Sequence, residues 1–69
     1  MALKLIARDY VGNAEVRTYR DNEWDQYICK PFIDGKAQPE LTWYFTNDKE
    51  DALATAESMS YQMAQNQKQ

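Results

Sequence analysis

From Glu40 to Gln69 the chain runs for thirty residues without a Gly or a Pro, whereas the part before it reads as short alternating stretches broken at Gly12-Asn13, Asp21-Asn22 and Asp34-Gly35. There is room for one long helix, and it must serve a whole sheet. A single helix covers one face of a small antiparallel sheet and leaves the other face to solvent or to a partner. Nine aromatic side chains in 69 residues make the identity of that second face the main clue to function.

Length and charge narrow the possibilities. A chain of 69 residues is read as one domain, 1–69, of a size that buries only about 60% of its unfolded surface. Chains this short lean on disulfides, a metal or self-association. One Cys and no His leave self-association as the remaining route. Eleven acidic and eight basic side chains give a net charge of −3, too mild for a nucleic-acid mimic and of the wrong sign for a general polyanion binder. The expected partner is therefore protein, either a second copy or a different chain.

Lys4, Arg8 and Asp9 interrupt the apolar start Met1–Ala7 before a signal-peptide core or a membrane span can form. The mature chain is expected to begin at or near Met1. Cys29, being alone, cannot form an internal bridge, which points to a reducing, cytoplasmic setting.

Along the chain, Leu3–Tyr10 reads as a first strand and Gly12-Asn13 as a turn. Ala14–Arg20 alternates at period two, the pattern of a half-buried strand. Asp21-Asn22 predicts a two-residue hairpin loop, followed by a third strand from Glu23 to Lys30 that runs on toward Phe32-Ile33. Pro31 cannot donate to a ladder, so that end of the strand is expected to be an edge, a bulge or the point where pairing breaks on one side. After the loop from Asp34 to Pro39, Leu41–Thr46 is predicted as a fourth strand. Asn47 followed by Glu50 has the form of a capping box, and Asp48, Glu50 and Asp51 crowd a first helical turn. Ala52, Leu53, Ala56, Met59, Ser60 and Met63 then recur at helical spacing as the stripe that meets the sheet, with the two Met as filler. Residues 65–69 lose the stripe and are expected to fray. The fold class is thus α+β, a three- or four-stranded antiparallel meander with one C-terminal helix packed on one face.

Strand register decides which side chains the helix covers. Setting Arg20 opposite Glu23 places Ala14, Val16 and Thr18 with Asp25, Tyr27 and Cys29 on one face. Extending the sheet by pairing Ile33 with Glu40 adds Thr42 and Tyr44 to that covered face. The outward face then gathers Tyr19, Trp24, Ile28, Phe32, Leu41, Trp43 and Phe45, fringed by Glu15, Arg17 and Lys30. An apolar patch of that extent marks a contact site, and Trp, Tyr and Arg dominate binding energy. Tyr19, Trp24, Ile28, Phe32, Leu41, Trp43, Phe45, Arg17 and Lys30 are accordingly the candidate partner-binding residues, with homodimerisation through this face one way of covering it. A slip of one residue would exchange the faces and turn Trp43 and Phe45 into core.

The run from Trp24 to Ala56 resembles a group of small bacteriophage-encoded proteins. Its carriers are Phe32-Ile33-Asp34-Gly35 at a strand end, Trp43-Tyr44-Phe45 in an aromatic strand, and Thr46-Asn47-Asp48-Lys49-Glu50-Asp51-Ala52 at a helix start. Pro31 departs from the aromatic or aliphatic residue of that group. The resemblance implies an accessory protein acting inside an infected bacterium and assigns no activity, cofactor or site residue.

Catalysis finds little support. Without His, proton transfer near neutral pH falls to carboxylates with shifted pKa values, and the acids here sit in turns and in the first helical turn. Asp48, Glu50 and Asp51 read as dipole compensation rather than as a metal cluster. Cys29 has no His to activate it and reads as a small buried hydrophobe. Asp34-Gly35 lacks the Gly-rich run and the Lys-Ser/Thr of a phosphate loop. No cofactor or metal is expected. The rival reading is single-stranded nucleic acid stacked on Trp24, Phe32, Trp43 and Phe45 beside Arg17, Arg20 and Lys30, which the negative charge of the chain disfavours.

Overall fold

A computed structural model describes residues 3–66, which form an antiparallel sheet with a single C-terminal helix packed on one face, an α+β fold. Strands β1 (Leu3–Val11), β2 (Ala14–Asp21) and β3 (Gln26–Ile33) form the meander. The fourth lane is split. Strand β4 (Lys36–Ala37) pairs with one end of β3, a 3₁₀ turn (Glu40–Thr42) follows, and β5 (Tyr44–Thr46) pairs with the other end of β3.

The split has a local cause in Pro31. The proline lies inside β3 opposite Val16, and its carbonyl accepts from the Gln38 amide at 3.0 Å, on the side away from β2. Its nitrogen points the same way, into the gap between β4 and β5, where no ladder asks for a donor. Strand β3 therefore continues through Pro31, and the expected break falls on the neighbouring lane instead.

Two turns hold the sheet at one end. Asp34 and Gly35 both have positive φ, 54° and 79°, as a two-residue loop between Ile33 and Lys36 requires. The Asp34 amide donates to the Asn13 carbonyl at 3.0 Å and Asn13 Nδ2 donates to Asp34 Oδ1 at 3.0 Å, joining this turn to the Gly12-Asn13 turn. At the opposite end the predicted two-residue loop at Asp21-Asn22 is replaced by a four-residue one, because Asp21 pairs with Gln26. Asp21 Oδ1 accepts from the amides of Glu23 (3.0 Å) and Trp24 (3.4 Å), and Oδ2 accepts from Gln26 Nε2 at 3.4 Å. That side-chain turn absorbs Glu23, Trp24 and Asp25, which the sequence had assigned to a strand. Asp25, expected on the covered face, is exposed with φ of 52° and pairs with Arg20.

Arg20 consequently faces Tyr27 rather than Glu23, a displacement of four residues. An even displacement preserves the faces. Ala14, Val16, Thr18 and Cys29 are fully buried on the helix side, with Tyr27 and Tyr44 packed against them. The pairs Tyr27–Thr46, Ile28–Phe45 and Cys29–Tyr44 lie on the diagonal set by pairing Ile33 with Glu40, although those two residues themselves turn away. Trp43 and Phe45 are therefore not core beneath the helix. Leu41 and Thr42, placed by the sequence in a strand, belong to the 3₁₀ turn that closes on Pro39: the Thr42 amide donates to its carbonyl at 2.9 Å.

Helix α1 spans Lys49–Asn66. Its cap is Asp48, one residue beyond the predicted Asn47. Asp48 Oδ1 accepts from the amides of Glu50 (3.0 Å) and Asp51 (3.5 Å), while the Asp48 amide donates to Thr46 Oγ1 at 3.2 Å. Asp51 accepts the Tyr44 hydroxyl at 2.6 Å, tying the first helical turn to β5. Eighteen residues of helix span about 27 Å at 1.5 Å each, and eight-residue strands about 26 Å, so helix and sheet match in length. Ala52, Ala56 and Ser60 are the buried positions, and their small side chains let the helix axis approach the sheet. The Cys29 thiol donates to the Ala52 carbonyl at 3.3 Å, a measure of that closeness. Met59 and Met63 fill the margin. Gln65 and Asn66 extend the helix past the expected fraying point, and the remaining residues of that predicted tail, 67–69, lie outside the described residues.

The covered face includes the carboxyl of Asp9. Asp9 pairs with Val16, and burial, followed by the nearby Glu57, pushes its carboxyl above the usual carboxylate range. The folded state thus binds this proton more tightly than the unfolded state does. Its ionisation weakens the fold as pH rises through the unfolded value toward the folded one, and the loss is absent below both. Asp9→Asn is expected to raise Tm at pH 7 by about 2–4 °C, the scale of a half-kcal/mol gain in a domain this short. The gain should vanish in melts at about pH 3.5.

Candidate functional site: the uncovered sheet face

Opposite the helix the side chains fall into cross-strand rows. Tyr10, Glu15 and Phe32 form one row, Arg8, Arg17 and Lys30 the next, Leu5, Tyr19, Ile28 and Phe45 a third, and Leu3, Asp21 and Gln26 the last. Leu3 and Leu5 reach this face because the register shifts between Leu5 and Ala7, so Ile6 is an extra residue in β1. Nothing in the candidate set read from the sequence included them; the unbroken apolar run Leu5-Ile6-Ala7, which cannot alternate, was the available signal.

Three cations side by side would repel one another. Glu15 relieves part of this: it accepts from Arg17 Nε at 2.9 Å and lies 3.7 Å from Arg8 Nε. The Arg17 hydrogen bond, outweighing the effect of burial, holds its carboxyl below the usual range. The stabilisation is complete above the ordinary Glu pKa and is lost as pH falls through the folded value, opposite in sign to Asp9. Aromatic rings take up the rest. The Arg17 guanidinium lies 4.0 Å from the Phe32 ring centre, and the Lys30 amine lies 4.2 Å from that of Trp43 and 4.9 Å from that of Tyr19.

Toward the four-residue loop the face deepens into a groove of about 390 Å³. Ile28 and Gln26 line it along β3, with Trp24 and Leu3 toward the meander and Trp43 and Phe45 toward the split lane. Asp21, Glu23, Glu40 and Lys30 complete the lining. Trp43 is fixed by an Nε1 donation to the Gln38 carbonyl at 3.3 Å and stands 6.3 Å from the Phe45 ring. Trp24, carried on the Asp21 turn, is 74% exposed and Phe45 is 45% exposed.

Of the nine candidate residues, the sheet brings Arg17, Tyr19, Ile28, Lys30, Phe32 and Phe45 onto one face, with Trp24 and Trp43 flanking its groove. Leu41 is not among them: it projects from the 3₁₀ turn at 89% exposure and does not line the groove. Ile28 is only 4% exposed and forms floor rather than contact surface.

Two of the acidic side chains at the helix start, Asp48 and Asp51, have structural partners. Asp48 caps the helix and Asp51 holds Tyr44, while burial pushes the Cys29 thiol up, away from nucleophilic use. Among the described residues no three of His, Cys, Asp or Glu gather as metal ligands, and no helix is long and apolar enough to cross a membrane. No protein-family model, curated protein or solved structure matches the chain.

Proposed function

We propose that this chain is a non-catalytic protein-interaction module that docks through the sheet face turned away from its helix. The observation that carries the reading is the exposure of Trp24 and Phe45 on the walls of an open groove, with no second layer over them among the described residues. Large aromatics in that position cost hydration free energy in the free protein and return it when a partner seals them. The resemblance to small phage proteins extends the reading to an accessory factor at work in the cytoplasm of an infected bacterium, bound there to a host or phage protein. A second copy on the same face is the other occupant this reading allows.

The row Arg8, Arg17 and Lys30 is the feature that would suit nucleic acid. Two details weigh against that use. Arg17 and Lys30 already cover ring faces of Phe32 and Trp43 on which bases would stack, and the groove carries three carboxylates to one amine.

Affinity capture from bacterial lysate tests the reading. A protein retained by the parent chain should be lost with Trp24→Ala combined with Phe45→Ala, and kept with Tyr61→Ala, which alters an exposed aromatic on the helix instead. Circular dichroism of the double variant should match the parent. Equal retention by the double variant overturns the proposal.

A further inference from the structure

The chemistry of the groove points to a particular kind of occupant, and the inference rests on the docking role proposed above. Its two indoles and Phe45 offer flat apolar walls over the Ile28 floor. The carboxylates are unequal. Asp21 is buried and both of its carboxylate oxygens are engaged by the loop, whereas the side-chain carboxylates of Glu23 and Glu40 have no hydrogen bond or ion pair among the described residues. Glu23 belongs to the four-residue loop and Glu40 to the 3₁₀ turn, so these two acids stand on different segments bordering the same apolar space.

We infer that this groove receives an arginine or lysine side chain from an extended segment of the protein partner. Such a side chain has a three- or four-carbon stem that lies along apolar walls and a charged head that stays at the rim. Glu23 and Glu40 meet the head, and the face of the Trp24 indole adds a cation–π contribution. The chain shows the same chemistry on itself, since the Lys30 amine rests against Trp43 at 4.2 Å. Lys30 offsets only one of the two unengaged carboxylates, so the rim keeps a negative balance. An acidic or purely aliphatic side chain would leave Glu23 and Glu40 facing like charge or losing water without a partner.

Two capped pentapeptides test this on the intact chain, Ac-Val-Arg-Val-Arg-Val-amide and its Glu-for-Arg counterpart, followed by NMR at the two indole N–H signals. The arginine peptide should move both signals in a saturable way and the glutamate peptide neither. Glu23→Gln with Glu40→Gln, isosteric changes at exposed positions, should weaken the arginine peptide about five- to tenfold, the scale of two exposed ion pairs. Equal response to both peptides, no response to either at about 10 mM, or undiminished affinity in the double Gln variant overturns the inference. Lysate capture separates the two levels. A partner lost by the Trp24/Phe45 variant but fully kept by the double Gln variant removes the cation and leaves the docking face standing; a partner kept by both removes both.

Discussion

Ala56→Leu should cost about 2–3 kcal/mol and remove most of the stability of a domain this small, whose single core supplies roughly 3–5 kcal/mol. Ala56 is fully buried against Val16, Cys29 and Ala52. Three more heavy atoms there have no space to enter unless the helix lifts from the strand, and lifting breaks the thiol bond to the Ala52 carbonyl as well. Urea denaturation followed by circular dichroism gives the measurement. Ala54→Leu, on the exposed side of the same helix, should change the unfolding free energy by no more than about 0.5 kcal/mol. If the two leucines behave alike, the small-residue seam is not what sets the distance between helix and sheet.

The second large effect falls on the other face. Ile28→Ala should destabilise the chain by about 2–4 kcal/mol, the usual cost of emptying a well-packed aliphatic site. No helix residue covers this side chain. It sits between Tyr19 and Phe45 in the third row and is only 4% exposed. The uncovered face is therefore a second, shallow cluster in its own right, and Ile28 belongs to stability where Trp24 belongs to contact. Trp24→Ala should leave the unfolding free energy from the same urea titration within about 0.5 kcal/mol of the parent. A midpoint for Ile28→Ala indistinguishable from the parent would mean that the outer aromatics do not pack on one another in solution.

Much of this was legible in the residues because side-chain direction along a strand depends only on parity. The hairpin between β2 and β3 was set four residues off, and still every paired residue of the covered face kept its side. Alternation in Ala14–Arg20 and the small-residue stripe of the helix carried that information. The details that escaped were decided by single side chains with competing uses. Asp21 prefers to accept from two amides ahead of it, so the loop doubles in length and lifts Trp24 out of the strand. Thr46 takes the Asp48 amide, so the cap passes from Asn47 to Asp48. Leu41 looked like strand by composition, but Thr42 closes on Pro39 to form a 3₁₀ turn. The extra residue at Ile6 recruits Leu3 and Leu5 to the outer face, and its one local sign is that Leu5-Ile6-Ala7 does not alternate.

The bulge at Ile6 and the proline at position 31 have one outcome in common for how copies of this chain behave when crowded. An open sheet margin invites a neighbouring molecule to add a strand, and repeated addition builds fibrils. Here one margin is interrupted at Ile6 and carries Arg8 and Asp9, while the other is cut into lengths of two and three residues around a position with no amide hydrogen. Neither offers an uninterrupted template. The chain can therefore display sticky aromatics on a broad surface without stacking edge to edge into amyloid.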